Sequence, residues 1–203
     1  FGNNKVCGLT STDDADSAAS AGARFGGLIF AEKSPRCVNA EQAQDIVKNS
    51  RVQLEYVGVF VNHKRKNIVE LVKQLKLSAV QLHGNEDNAY IEALTEQLKE
   101  NNCQDCQIWQ ASPVSSTLPE LNEITEKVSH HVLDGKSPGS GQAFNWQILT
   151  NSQQDLQNCL LAGGLNNENI AAALAQLNDL DLFGLDLNSG VEISPGIKSA
   201  DKL

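Results

Sequence analysis

Short apolar runs recur along the chain, and each is followed by a more polar stretch. The runs fall at residues 5–9, 26–30, 56–61, 79–82, 107–111, 131–133, 159–162 and 183–187, and are rich in Val, Ile, Leu and Phe. They are nearly continuous rather than alternating. Strands buried on both faces have that signature, because helices cover both sides of a parallel sheet. The pattern therefore predicts eight strands.

Helix signals lie between the runs. Asn39 and Gln42 have capping-box spacing ahead of Ala43, Ile46 and Val47. Ile68, Leu71, Val72 and Leu75 repeat at helical spacing, as do Ile91, Leu94 and Leu98. Asn166 is placed to cap a helix running through Ile170, Leu174 and Leu177. Asp13, Asp14 and Asp16 read as first-turn charge at a helix N-terminus. Strand–helix alternation of this kind makes α/β architecture from right-handed βαβ units, and eight units close a (β/α)8 TIM barrel. A doubly wound open sheet uses the same alternation, and periodicity does not separate the two. After the run at 183–187, only Pro195, Gly196 and residues 197–203 are left, so an eighth helix has room to begin but not to finish.

No linker rich in Pro, Gly or Ser divides the 203 residues, so residues 1–203 are read as a single domain. Barrels run from roughly 200 to more than 400 residues, which puts this chain at the short end. A net charge of −9 argues against a nucleic-acid partner, which would need clustered Lys and Arg. The apolar runs fall far short of the ~20 residues that cross a bilayer, so no membrane partner is expected. Five irregularly spaced cysteines in a chain too large to need staples suggest reduced thiols and a cytoplasmic protein. The chain opens on Phe1 and contains no methionine, which suggests a processed protein or a segment of a longer one.

Barrel enzymes carry their chemistry at the C-terminal ends of strands. Those positions hold Cys7 and Gly8, the 33–36 stretch with Arg36, Gln81 and His83, Asp134 with the 139–141 loop, Gly163 and Gly164, and Asp186 with Asn188, Ser189 and Gly190. Glycine lets backbone N–H groups approach an anion, and barrels commonly seat a phosphate in the loops after strands seven and eight. Gly163, Gly164, Ser189 and Gly190 occupy those loops, although glycines there also serve simply as tight turns. Cys7 is either a small buried hydrophobe or, with its pKa lowered from ~8.5 by neighbouring positive charge, a thiolate base. Asp134 and Asp186 are either hydrogen-bonded structure or proton donors. Arg36 can grip a carboxylate with two prongs or serve as a surface ion-pair partner. Cys103 and Cys106 have C-x-x-C spacing but no second pair, and His63, His130 and His131 have no partners in sequence, so no metal is expected.

The motifs resemble those of the phosphoribosylanthranilate isomerases. KVCGLT at 5–10, SPRCV at 34–38, QLHGNE at 81–86, VLD at 132–134 with GSGQAFNW at 139–146, LAGGL at 161–165 and DLNSGVE at 186–192 match that family in order, over nearly the whole chain. The resemblance implies a (β/α)8 barrel that needs no cofactor. It implies Cys7 as general base and Asp134 as general acid. Arg36 would hold a substrate carboxylate, with Gln81, His83 and Asp186 also binding substrate. The phosphate would lie on Gly141, Gly163, Gly164, Ser189 and Gly190. The implied reaction is an Amadori rearrangement of N-(5-phosphoribosyl)anthranilate to 1-(2-carboxyphenylamino)-1-deoxyribulose 5-phosphate in tryptophan biosynthesis. Members also occur fused to indole-glycerol-phosphate synthase, and the Phe1 start fits such a multifunctional parent. Two rival readings are a synthase-type barrel, for which a lysine acid would be expected at a strand end, and a non-catalytic barrel that binds a phosphorylated ligand.

Overall fold

The computed structural model of the chain describes residues 2–135 and 144–203. Eight parallel strands close a barrel in sequence order: β1 (Lys5–Val6), β2 (Phe25–Ile29), β3 (Glu55–Phe60), β4 (Ala79–Leu82), β5 (Gln107–Val114), β6 (His130–Gly135), β7 (Cys159–Leu161) and β8 (Gly184–Leu187). Each predicted run overlaps one strand, with ends shifted by up to three residues. Closure comes from β1, which pairs with β2 through Lys5↔Phe25 and with β8 through Lys5↔Asp186. No strand is left with an open edge in the barrel, which settles the choice between barrel and open sheet.

The outer layer contains α1 (Thr12–Ser20), α2 (Ala40–Asn49), α3 (Arg65–Leu75), α4 (Asn88–Glu100), α5 (Gln147–Thr150) and α6 (Ile170–Gln176). The predicted capping box on α2 is present in both directions: Gln42 N donates to Asn39 Oδ1 and Asn39 N donates to Gln42 Oε1. α3 and α4 turn Ile68, Val72, Leu75, Ile91, Leu94 and Leu98 onto the barrel, where all are buried. Burying such a side chain stabilises by roughly 1.5–3 kcal/mol, more than the few tenths that helix propensity supplies per residue.

The structure corrects four expectations about these elements. Residues 197–203 do not begin a helix: β9 (Glu192–Ser194) and β10 (Ile197–Lys198) form an antiparallel hairpin, with Pro195 and Gly196 as its turn. Between β5 and β6 the described residues hold one 3-10 turn, Leu121–Glu123, rather than a helix. Asn166 acts one turn early: its Oδ1 accepts from Glu168 N and Asn169 N, Asn169 is the N-cap of α6, and Leu174 faces outward. Asp13 and Asp14 lie in the first turn of α1, but Asp16 instead accepts from the backbone and guanidinium of Arg51.

The barrel interior is layered. Phe25, Val57, Trp109, Val132 and Leu160 fill the N-terminal end with Phe183 against them, and the Trp109 ring meets Phe25 edge-on at 5.0 Å. Towards the C-terminal end come Lys5 and then Cys7, Ile29 and Val59. Gly27 makes room for this middle layer, because a Cβ there would sit 2.7 Å from Cys7 Sγ and 3.1 Å from Lys5 Cε.

Candidate active site

A cavity of about 410 Å³ opens at the C-terminal ends of the strands. Cys7, Arg36, Gln81, His83, Asp134, Gly163, Gly164, Asp186, Ser189 and Gly190 all line it. They are scattered over the sequence, and only barrel closure brings them to one mouth. Gly141 lies outside the described residues.

Asp134, near the end of β6, is mostly buried. Its Oδ1 accepts the backbone N–H of Gly135 at 2.8 Å. Burial, reinforced by the nearby Asp186 carboxylate, pushes its pKa up from 3.8 to about 6. Gly163 closes over it at φ +81°, followed by Gly164 at φ +67°. A Cβ on Gly163 would stand 2.8 Å from Asp134 Oδ1 and 2.9 Å from Gly135 N, so only glycine fits at that position.

Cys7 follows β1, with its N–H donating to Leu187 O. The expected lowering of its pKa is not found. Burial pushes the thiol up, and Lys5 and Lys198, which favour the thiolate, offset burial only in part while Asp186 adds to it. The burial that seats the sulfur in the cavity wall disfavours its charged form.

Lys5 carries the largest role that sequence reasoning missed. Its ammonium is completely buried and donates to Asp186 Oδ2 and to Gln81 Oε1, each at 2.7 Å. Burial is the largest single influence and works against the charge, but Asp186 and Cys7 together outweigh it and the pKa rises. The available signal was a lysine inside an apolar run, since a buried lysine demands a partner. The other oxygen, Asp186 Oδ1, is buried with no hydrogen-bond partner among the described residues.

Arg36 is neither free nor on the surface. It is buried, and its two-pronged grip falls within the chain: Nε and Nη2 donate to Glu192 Oε1 and Oε2 at 2.8 Å each. Glu192, on β9, also accepts from Lys198 Nζ at 2.8 Å and from Gly196 N. Burial alone would raise the Glu192 pKa, but the two cations reverse this and hold it down. Arg36 thus borders the cavity with Nη1 outside the Glu192 fork. Glu192 and Lys198 were also missed, because the segment read as a helix start is a hairpin packed against α1 and Arg36.

His83 follows β4. Burial and the charge on Lys5 lower its pKa, so the imidazole is neutral and its 3.7 Å approach to Asp134 Oδ2 is not an ion pair. Glu86 anchors the loop by accepting Gly84 N and Asn62 N. The discounted residues lie elsewhere. Cys103 and Cys106 are free thiols after α4, His63 packs on Phe60, and His130 is wedged between Trp109 and Phe183.

Fold and site together define a (β/α)8 barrel with a protonatable carboxyl and a thiol at one mouth and a buried Lys5–Asp186 ion pair beneath it. Residues 4–203 match the family described as PRAI, N-(5'phosphoribosyl)anthranilate (PRA) isomerase, and the chain belongs to that family. It is 48% identical over 207 residues to the tryptophan biosynthesis protein TrpCF of Vibrio cholerae serotype O1, covering 100% of this chain and 41% of that protein. The TrpCF of Yersinia pestis is 46% identical over 203 residues, covering 100% of this chain and 40% of that protein. The chain thus spans about two fifths of the length of these relatives. Among solved structures, the phosphoribosyl anthranilate isomerase of Thermus thermophilus superposes with TM-score 0.81 at 30% identity, covering 98% of this chain and 94% of that one. A phosphoribosyl anthranilate isomerase in complex with reduced 1-(o-carboxyphenylamino)-1-deoxyribulose 5-phosphate superposes with TM-score 0.76 at 29% identity, covering 100% and 94%.

Proposed function

We propose that this chain isomerises N-(5-phosphoribosyl)anthranilate to 1-(2-carboxyphenylamino)-1-deoxyribulose 5-phosphate, with Asp134 as acid and Cys7 as base. The observation that carries the reading is a carboxyl held up at about 6 on the same cavity as a buried thiol. Asp134 protonates the furanose ring oxygen, the C1–O bond breaks, and an iminium forms between C1 and nitrogen. Cys7, as thiolate, removes the proton from C2 to leave an enolamine. Loss of the C2 hydroxyl proton and protonation of C1 complete the ketone. Each positioned proton transfer contributes roughly 10²–10⁴-fold. With Asp134 raised to about 6 and the Cys7 thiol also pushed up, carboxylate and thiol are the resting forms at neutral pH, so the productive form, with Asp134 protonated and Cys7 ionised, is the minor one. The positive iminium then favours the thiolate at the moment it is needed.

Binding falls to the remaining groups. Arg36 offers Nη1 to the anthranilate carboxylate while Glu192 holds the other side of its fork. The orphan Asp186 Oδ1 accepts a sugar hydroxyl. Gly163, Gly164, Ser189 and Gly190, with Gly141, take the phosphate, which anchors the substrate far from the reacting carbon. Gln81 and His83 complete the substrate wall. A lysine does reach the barrel interior, which the synthase-type rival would require. Lys5, however, is already bonded to Asp186 and Gln81 and does not line the cavity.

Residues 1–203 act as one isomerase domain, cytoplasmic, within a longer protein fused to indole-glycerol-phosphate synthase. The two-fifths coverage of the TrpCF relatives and the free cysteines support this, and among the described residues no helix is long and apolar enough to cross a membrane. The test is a fluorescence assay following consumption of freshly made phosphoribosylanthranilate. The protein consumes it, and Cys7→Ala and Asp134→Asn each lose most of the turnover. No consumption by the unaltered protein overturns the activity, and near-normal turnover by either variant overturns that residue's role.

A further inference from the structure

We propose that Gln81 and His83 act as a positioning pair that fixes one imidazole tautomer, so that an N–H faces Asp134 when that side chain becomes a carboxylate. Donors and acceptors alternate along a line from Lys5 on β1 through Gln81 and His83 to Asp134 on β6. An ammonium has three donors and no acceptor, so the Gln81 atom 2.7 Å from Lys5 Nζ is the carbonyl oxygen. That orientation turns the Gln81 amide nitrogen to His83 Nδ1 at 3.2 Å. The amide nitrogen can only donate, so Nδ1 accepts. A neutral imidazole with an accepting Nδ1 carries its proton on Nε2, and His83 Nε2 is the atom 3.7 Å from Asp134 Oδ2. The imidazole is neutral because burial and Lys5 both oppose its protonation.

Asp134 has its Oδ1 already bonded to Gly135 N, which leaves Oδ2 for the proton and for His83. When Asp134 gives up that proton, the new carboxylate is buried beside Asp186 and needs a donor. A shift of well under 1 Å closes the 3.7 Å gap to a hydrogen bond. Contacts of this kind commonly tighten only in the working complex. Lys5, bound to Asp186 on one side and Gln81 on the other, therefore acts on Asp134 through the tautomer of His83.

The proposal rests on Asp134 being the acid of the reaction above, but its first readout needs no substrate. Nitrogen-resolved NMR of the imidazole in the unaltered protein finds His83 Nδ1 unprotonated and Nε2 protonated. Gln81→Leu removes the donor, lets the Nδ1–H tautomer grow, and lowers kcat roughly tenfold or more, a larger effect than any change in KM. Gln81→Glu offers a carboxylate to Nδ1 and protonates it. His83→Gln keeps a donor near the Nε2 position and retains more turnover than His83→Leu at an unchanged Tm. An Nδ1–H tautomer in the unaltered protein overturns the proposal, and so does a Gln81→Leu variant with both tautomer and kcat unchanged. Absence of turnover in the unaltered protein sinks the isomerase reading instead, while the NMR result still decides the tautomer.

Discussion

Asp134→Asn separates stability from activity at this site, and the structure predicts the sign of both effects. The Asp134 carboxyl has an ordinary pKa of 3.8 and is raised to about 6 in the folded chain, chiefly by burial and then by Asp186. A raised carboxyl pKa means that the folded state binds the proton more tightly than the unfolded one. Its contribution to stability is complete below 3.8, fades through the window up to about 6, and is gone above that. At 1.36 kcal/mol per unit, ionised Asp134 costs about 2–3 kcal/mol at pH 8. Asparagine has almost the same shape, can still accept from Gly135 N, and carries no charge at any pH. The variant should therefore match the unaltered protein near pH 3.5 and melt higher at pH 8. For a domain of this size the rise is on the order of 4–10 °C. Turnover meanwhile falls by about 10²–10⁴, because the amide has no proton to give. Urea or thermal denaturation at pH 3.5, 5 and 8 checks this, since titrating groups remote from Asp134 cancel in the difference. A variant no more stable than the parent at pH 8, or a gap that does not change with pH, refutes the account of Asp134 as a strained buried acid.

The remaining predictions address its neighbours. Asp134 near 6 and Cys7 raised above the ordinary thiol range bound a plateau in kcat/KM, which falls below about pH 6 and again at high pH; a stopped assay across the range checks this, and an acid limb near 4 contradicts it. Gly163→Ala strains a left-handed residue by roughly 1–2 kcal/mol and pushes its Cβ into Asp134 and Gly135, so kcat should fall by about 10²-fold, measurable in steady-state kinetics beside a melting curve. Lys5→Met leaves the Asp186 carboxylate buried and unpaired, at about 3–5 kcal/mol in urea denaturation, and a second change of Asp186→Leu should recover most of that loss.

The fold and the list of residues facing the mouth could be read along the chain, because a buried strand and an amphipathic helix each mark their own few residues. The eight apolar runs, the Asn39 capping box and the six motifs needed no knowledge of distant partners. The hairpin at 192–198 did not announce itself, because Pro195 and Gly196 stop one element without saying which follows. In that hairpin, β9 pairs with β10, and Glu192 takes Arg36 from 156 residues away.

Local pattern alone thus determined where strands begin, which side chains end them and which family motifs they carry. Tertiary structure decided what state those side chains are in. A pKa depends on the water excluded and the charges drawn near, and both come from residues far apart in sequence. That is why Cys7 rises where a fall was expected, why Arg36 meets Glu192 before any substrate, and why Lys5, which looked like the first residue of an apolar strand, is an ammonium held deep in the barrel beside Asp186.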